Sequence, residues 1–162
     1  MYGGNGRKSG LGAFARGLAS HGPLTDRGED FEPDEMDEAS FEPDMDEVGD
    51  FIGRLLMSAP ILHMLHLQTD SYAKHKALNK LYDSLPDDID LVVEEFQGCY
   101  GIIPSYNTYV TYTANPVIFV EDLLTFTKKN RDCMGPSSSI NSSIDIIVTS
   151  IASCLYKLKN LK

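Results

Sequence analysis

The sequence predicts an all-α fold: a four-helix bundle with a long connection between its second and third helices, preceded by an extended N-terminal arm. Three observations predict it. Charge composition changes near residue 48; beyond that point apolar residues recur at steps of three and four; and the body's one aperiodic stretch, Ile102 to Ala114, falls midway along it. At 162 residues the chain is expected to build one hydrophobic core.

Residues 1–48 form the arm and 49–162 the bundle. Residues 1–27 carry Arg7, Lys8, Arg16 and Arg27 against Asp26, a net of +3 among many glycines. Residues 28–50 then carry twelve acids and no base, whereas 51–162 come to −1, so the overall charge of −10 belongs to the arm. The acidic piece echoes itself: "FEPDEMDE" begins at Phe31 and "FEPDMDE" at Phe41. Like charges at this density repel, and a residue preceding proline favours an extended backbone. The segment reads either as a solubilising tail or as two short linear motifs. In the second reading Phe31 and Phe41 anchor in a partner's pocket while the acids meet its basic rim.

The body follows element by element. "VGDFIGRLLMSAPILHMLHLQTDSYAKHKALNKLYDSL" reads as one long helix, with Pro60 as its kink. Ser84 and Pro86 punctuate it, and "PDDIDLVVEEF" opens a second helix whose acids suit the positive end of a helix dipole. Gly98 and Gly101 close that helix. "IIPSYNTYVTYTA" is aromatic, rich in threonine and aperiodic, and is expected to cross over in extended form. Asn115 caps and Pro116 starts a third helix, "PVIFVEDLLTFTKKNRDCM", with Lys128, Lys129 and Arg131 in its last turns. Gly135-Pro136 breaks the chain before a fourth, capped by Ser137 to Ser139 and carrying Ile140, Ile144, Ile147, Ile151, Leu155, Leu158 and Leu161 on one stripe.

Several function classes recede on these grounds. A near-neutral body offers no basic face to neutralise phosphates, so direct nucleic-acid contact is expected only through the basic N-terminus. Cys99, Cys133 and Cys154 are odd in number and lack C-x-x-C spacing, which fits a reducing compartment. No signal-peptide core follows the N-terminus, and the arm's glycines argue against an amphipathic transit helix. No apolar run reaches membrane-spanning length, Asp145 interrupting the best one, so a soluble protein of the host cytoplasm or of a virion is expected, without membrane contact. "GGNGRKSG" lacks the strand and helix of a phosphate-binding loop, and no Ser or Cys sits in a nucleophile motif.

Chemistry concentrates in "HLQTDSYAKHKALNKLYDSLPDDIDLVVEEFQG". Asp90 and Glu94 are four residues apart, so both carboxylates project from one helical face. Imidazole with carboxylate suits iron, manganese or zinc. His66 and His75 lie nine residues apart, on opposite sides of an unbroken helix; they can share a site only if the helix breaks near Thr69 to Ser71 or if neighbouring subunits supply them.

This stretch, with the late "YKLKNL", resembles a virus- and phage-encoded branch of the ferritin-like superfamily related to the Dps mini-ferritins. The resemblance covers about residues 50–162, and a long second connection is itself the ferritin-like arrangement. It implies that His66 and His75 face Asp90 and Glu94 of a neighbouring subunit and that the set binds and oxidises iron. Two departures stand out: Asn79 occupies a position that is acidic in Dps, and His63, not His66, has the ungapped Dps spacing. The expected function is therefore a structural or assembly subunit, a phage virion component tethered to other protein subunits by its arm. Two further readings are a Dps-type ferroxidase protecting DNA and a binding module using the Phe-Glu-Pro-Asp repeats.

Overall fold

The computed structural model describes residues 41–161; Phe31 and the rest of the expected arm before residue 41 lie outside the described residues. Four α-helices follow: α1 (Met45–Gln68), α2 (Tyr72–Tyr100), α3 (Pro116–Asn130) and α4 (Ser138–Asn160), with a 3₁₀ turn over Arg131–Met134 between the last two. The fold is all-helical, with no strand among the described residues.

α1 starts at Met45, ahead of the expected boundary, because the carboxylate of Asp44 accepts from the amides of Asp46 at 2.9 Å and Glu47 at 3.3 Å. It stops at Gln68. Ser71 then restarts the chain, its hydroxyl accepting from the amide of Lys74 while Thr69 accepts from the amide of Ser71. The first two helices thus divide at Thr69–Ser71, not at Ser84–Pro86 as the punctuation suggested. Pro60 lies inside α1 and Pro86 inside α2, both exposed, so water can satisfy the carbonyl each leaves without an amide partner. The acids from Asp87 to Glu95 consequently stand in the second half of α2, and the dipole argument for them does not apply.

α3 and α4 begin where the sequence puts them. Asn115 accepts from the amides of Val117 and Ile118 with Pro116 at the first helical position. Ser137 occupies the N-cap of α4 without a side-chain bond. Gly101 closes α2 at φ +94°, a left-handed conformation strained for other residues.

The chain from Gly101 to Asn115 runs the length of α1 with no regular structure. The amide of Asn107 donates to the carbonyl of Gly49 (3.3 Å), and the hydroxyl of Tyr112 to the side-chain oxygen of Gln68 (3.0 Å). The crossover therefore starts beside the head of α1 and ends beside its tail, returning α3 parallel to α2 and antiparallel to α1. Gly49 and Gly53, one turn apart, make this approach possible. A Cβ on Gly53 would stand 2.1 Å from the carbonyl oxygen of Asn107, and one on Gly49 2.3 Å from that of Ser105.

α1 packs on α2 and α3, and α4 packs on α2 and α3, each pair antiparallel. Phe51 of α1 stacks on Phe126 late in α3 (5.7 Å), under the guanidinium of Arg54. Glu95 late in α2 accepts from Ser139 (2.8 Å) and Ser143 (2.7 Å) early in α4. Lys159 at the end of α4 pairs with Glu121 near the start of α3. The core between them is aliphatic, with Ile52, Leu55, Leu62, Leu78, Leu85, Ile89, Ile144, Ile147 and Ile151 essentially out of water and Phe96 filling one end. By length and composition α1 and α4 could each cross a membrane, contrary to the reading that no run is long enough, yet each lays a buried stripe into this bundle.

Candidate functional site

The break at Thr69–Ser71 decides the fate of the histidines. Folding α2 back on α1 brings His66 and His75 face to face, their ring centroids 3.6 Å apart and planes 31° from parallel. Nδ1 of His66 lies 2.9 Å from the carbonyl oxygen of His75, and Nδ1 of His75 lies 3.2 Å from that of His66. A carbonyl can only accept, so Nδ1 is the donor in both rings. Neither bond uses the Nε2 atom of either ring. The bonds also serve the hairpin: the carbonyl of His66 belongs to the last turn of α1, where no helical amide reaches it.

The aromatic group continues along the same faces. His63 stacks on Tyr82 at 4.4 Å and His66 meets the same ring edge-on at 5.2 Å. The hydroxyl of Tyr82 donates to the side-chain oxygen of Asn79, whose amide donates in turn to the carboxylate of Asp83. Asn79 is thus already committed to its neighbours. His66 is buried, His75 half-buried and His63 exposed. Tyr82 and Asp83 went unremarked in the sequence. The seven residues from His75 to Tyr82, two helical turns on one face, were the available signal.

Asp90 and Glu94 do not join the histidines. On one continuous helix the fifteen residues from His75 to Asp90 span about 22 Å. Both acids are exposed, and the carboxylate that does structural work is the adjacent Glu95. Among the described residues no three His, Cys, Asp or Glu side chains converge as a metal-binding group. Within one chain this donor set does not fit an iron centre.

Phe41, expected to reach for a partner, packs on its own body. Its ring meets Tyr100 edge-on at 5.5 Å, lies over Gly135 and is half-buried. The second Phe-Glu-Pro-Asp repeat is therefore a helix entry: Asp44 caps α1 while Phe41, just upstream, fastens the chain to the end of the bundle.

Two of the three thiols, the buried Cys154 and the half-buried Cys133, are held protonated by their surroundings. Burial, reinforced by the carboxylates of Glu47 and Asp132, pushes Cys133 up to about 12, and its Sγ donates to the carbonyl of Asn130. Burial likewise pushes Cys154 up to about 12, against a smaller opposing pull from Lys157. Near pH 8 both thiols therefore stay protonated and unreactive. Alkylation by iodoacetamide at that pH is expected to mark the exposed Cys99 and spare the other two until the chain is unfolded, as peptide mass spectrometry would show.

A family model matches residues 66–158, more than half of the chain. The chain belongs to DUF5856, a family of unknown function. The matched DUF5856 region opens at His66 and takes in the histidine pair, α2, the crossover, α3 and most of α4. An uncharacterized 14.6 kDa protein in the mobD-ri intergenic region of Enterobacteria phage T4 is 36% identical over 52 residues, 32% of this chain and 41% of that protein. The match thus spans about two-fifths of the length of that phage relative. No solved structure matches the chain.

Proposed function

We propose that this DUF5856 chain is an assembly subunit: a ferritin-like helical body that associates with further copies of itself, in a phage particle or a phage-infected cell. The antiparallel packing of α1 with α2 and α3, closed by a lengthwise crossover, supports the ferritin-like reading. The similarity to a phage T4 protein supports the phage setting. The observation that carries the assembly role is the apolar surface the bundle leaves in water. Tyr109 on the crossover and Tyr72 at the start of α2 are each 78% exposed, and Leu67 at the end of α1 is 70% exposed. Tyr156 and Leu161 are also outward, at the end of α4 that packs nearest that turn. Large aromatic and aliphatic side chains that face water favour burial against another protein surface. Partner-binding by Phe31 remains part of this reading, with the arm contacting neighbouring subunits.

Light scattering of the purified full chain is the test. An oligomer is expected, reduced to monomers by the combined changes Leu67→Ser, Tyr72→Ser and Tyr109→Ser with the helical circular dichroism unchanged. A chain that stays monomeric at all accessible concentrations sinks the proposal. The alternative, a Dps-type ferroxidase, draws support from the two uncommitted Nε2 atoms. It requires Asp90 and Glu94 of a second subunit to reach His66 and His75, with Fe(II) as substrate. Fe(II) oxidation by the oligomer that disappears in Glu94→Ala would favour it.

A further inference from the structure

α1 carries two apolar stripes. One, through Phe51, Leu55, Leu62 and Leu65, fills the core. Gly49, Gly53, Leu56, Pro60, Met64 and Leu67 follow one another at steps of three and four, and so share the opposite face. The first half of that face is covered: the crossover backbone rests on Gly49 and Gly53 through Ser105 and Asn107. Past Gly53 the face bears side chains and the crossover leaves it. Val110 and Thr111 line a cavity with Arg54 and Ser58, on another side of the helix, and Tyr112 bonds to Gln68. Leu56, Pro60, Met64 and Leu67 are left in water, with His63 beside them.

Charge and order along this bare half together select its occupant. From Leu55 to Thr69 the chain holds no acid, lysine or arginine, in a protein whose net charge of −10 otherwise sets its copies against one another. An uncharged face meets its own copy without that penalty, and offers a strongly basic or acidic partner nothing to pair with. Leu56 and Leu67 are equidistant from the midpoint between Ile61 and Leu62, and so are Pro60 and His63. The nearest charged residues beyond the two ends are Arg54 and Asp70. An antiparallel copy therefore sets leucine against leucine at both ends and brings opposite charges level along the helices, whereas a parallel copy brings like charges level.

We propose that the outer face of α1 from Leu56 to Leu67 is where two copies of this chain meet, antiparallel about a two-fold axis beside Ile61 and Leu62. This contact rests on the assembly role proposed above and gives that role a face, a partner and a direction.

For the test, Leu56→Cys and Leu67→Cys are combined in the full chain, with the exposed Cys99 changed to serine, and the protein is treated with a short bis-maleimide. Within one helix the two positions stand about 16 Å apart, beyond the reach of the reagent; across the two-fold axis they are level. Covalent dimers joined from position 56 of one chain to position 67 of the other are expected by peptide mass spectrometry. Either single variant should give roughly tenfold fewer, because like positions then lie about 16 Å apart along the axis. Leu56→Glu sets an acid into both ends of the contact and should raise the concentration needed for association roughly tenfold in light scattering. Leu91→Glu, at an exposed position on α2, should not. An oligomer that forms no bridge from 56 to 67, that the single variants bridge as readily, or that both glutamates weaken equally overturns this contact and leaves the assembly role standing. A chain that stays monomeric overturns both. Flotation with phosphatidylcholine vesicles and loss of the bridge would assign the face to a membrane and overturn the contact as well.

Discussion

Gly53→Ala is expected to lower stability by about 2 kcal/mol, a fall in melting temperature of roughly 5–10 °C. Within a helix interior the same change ordinarily gains about 1 kcal/mol, since alanine loses less backbone freedom than glycine on folding. Packing reverses the sign here. The new Cβ would lie 2.1 Å from the carbonyl oxygen of Asn107, and that atom belongs to backbone, so no side-chain rotation relieves the clash. The crossover must lift away from α1, surrendering the bond from Asn107 to Gly49 and baring Val110. Gly98 provides the control. It too lies inside a helix, but a Cβ there meets nothing within 4 Å, so Gly98→Ala should stabilise by the ordinary helical increment. Thermal denaturation of both variants decides the matter: melting points that rise together would mean the crossover is not seated on these glycines. Limited proteolysis between Pro104 and Thr113 should accelerate in the first variant alone.

His66→Ala is expected to cost about 3 kcal/mol, comparable with removing a large core side chain. The substitution empties the place of a buried ring, removes its stacking on His75 and its edge contact with Tyr82, and deprives the carbonyl of His75 of one donor. His63→Ala, which removes an exposed ring from the same aromatic group, should cost well under half as much. Urea denaturation with the two variants side by side checks the ranking. Equal losses, or a negligible effect of the His66 change, would show that the reciprocal pairing does not hold the α1–α2 hairpin. The measurement bears on function as well. A pair that contributes this much to the hairpin has a structural reason to be present, whether or not its Nε2 atoms meet a ligand from another subunit.

Legibility followed the chemistry of the helix ends. Asn115-Pro116 and Gly135-Pro136 are strong punctuation, and α3 and α4 begin where those residues place them, although α3 ends at Asn130 and gives way to a 3₁₀ turn over Arg131–Met134 before the glycine. Thr69-Asp-Ser71 contains neither glycine nor proline and was masked by two prolines that look like stronger breaks. Whether a proline ends a helix depends on whether its orphaned carbonyl can reach water, which is a matter of exposure and not of sequence. Phe41 was legible as an anchor, but its seat on Tyr100 lies nearly sixty residues away in the chain. In the sequence His66, His75, Asp90 and Glu94 form one pattern. Helix geometry keeps two of them at the hairpin and carries the other two about four turns along α2.

By itself, then, the sequence determined the helical class, the near-neutral body behind an acidic segment, the extended crossover and the caps of the last two helices. Those follow from local spacing and composition, which each segment carries with it. Tertiary structure alone decided which punctuation breaks the chain, which histidines meet and which glycines must stay bare. Each of these turns on what a distant segment puts within a few ångströms, and one segment's sequence does not hold that information.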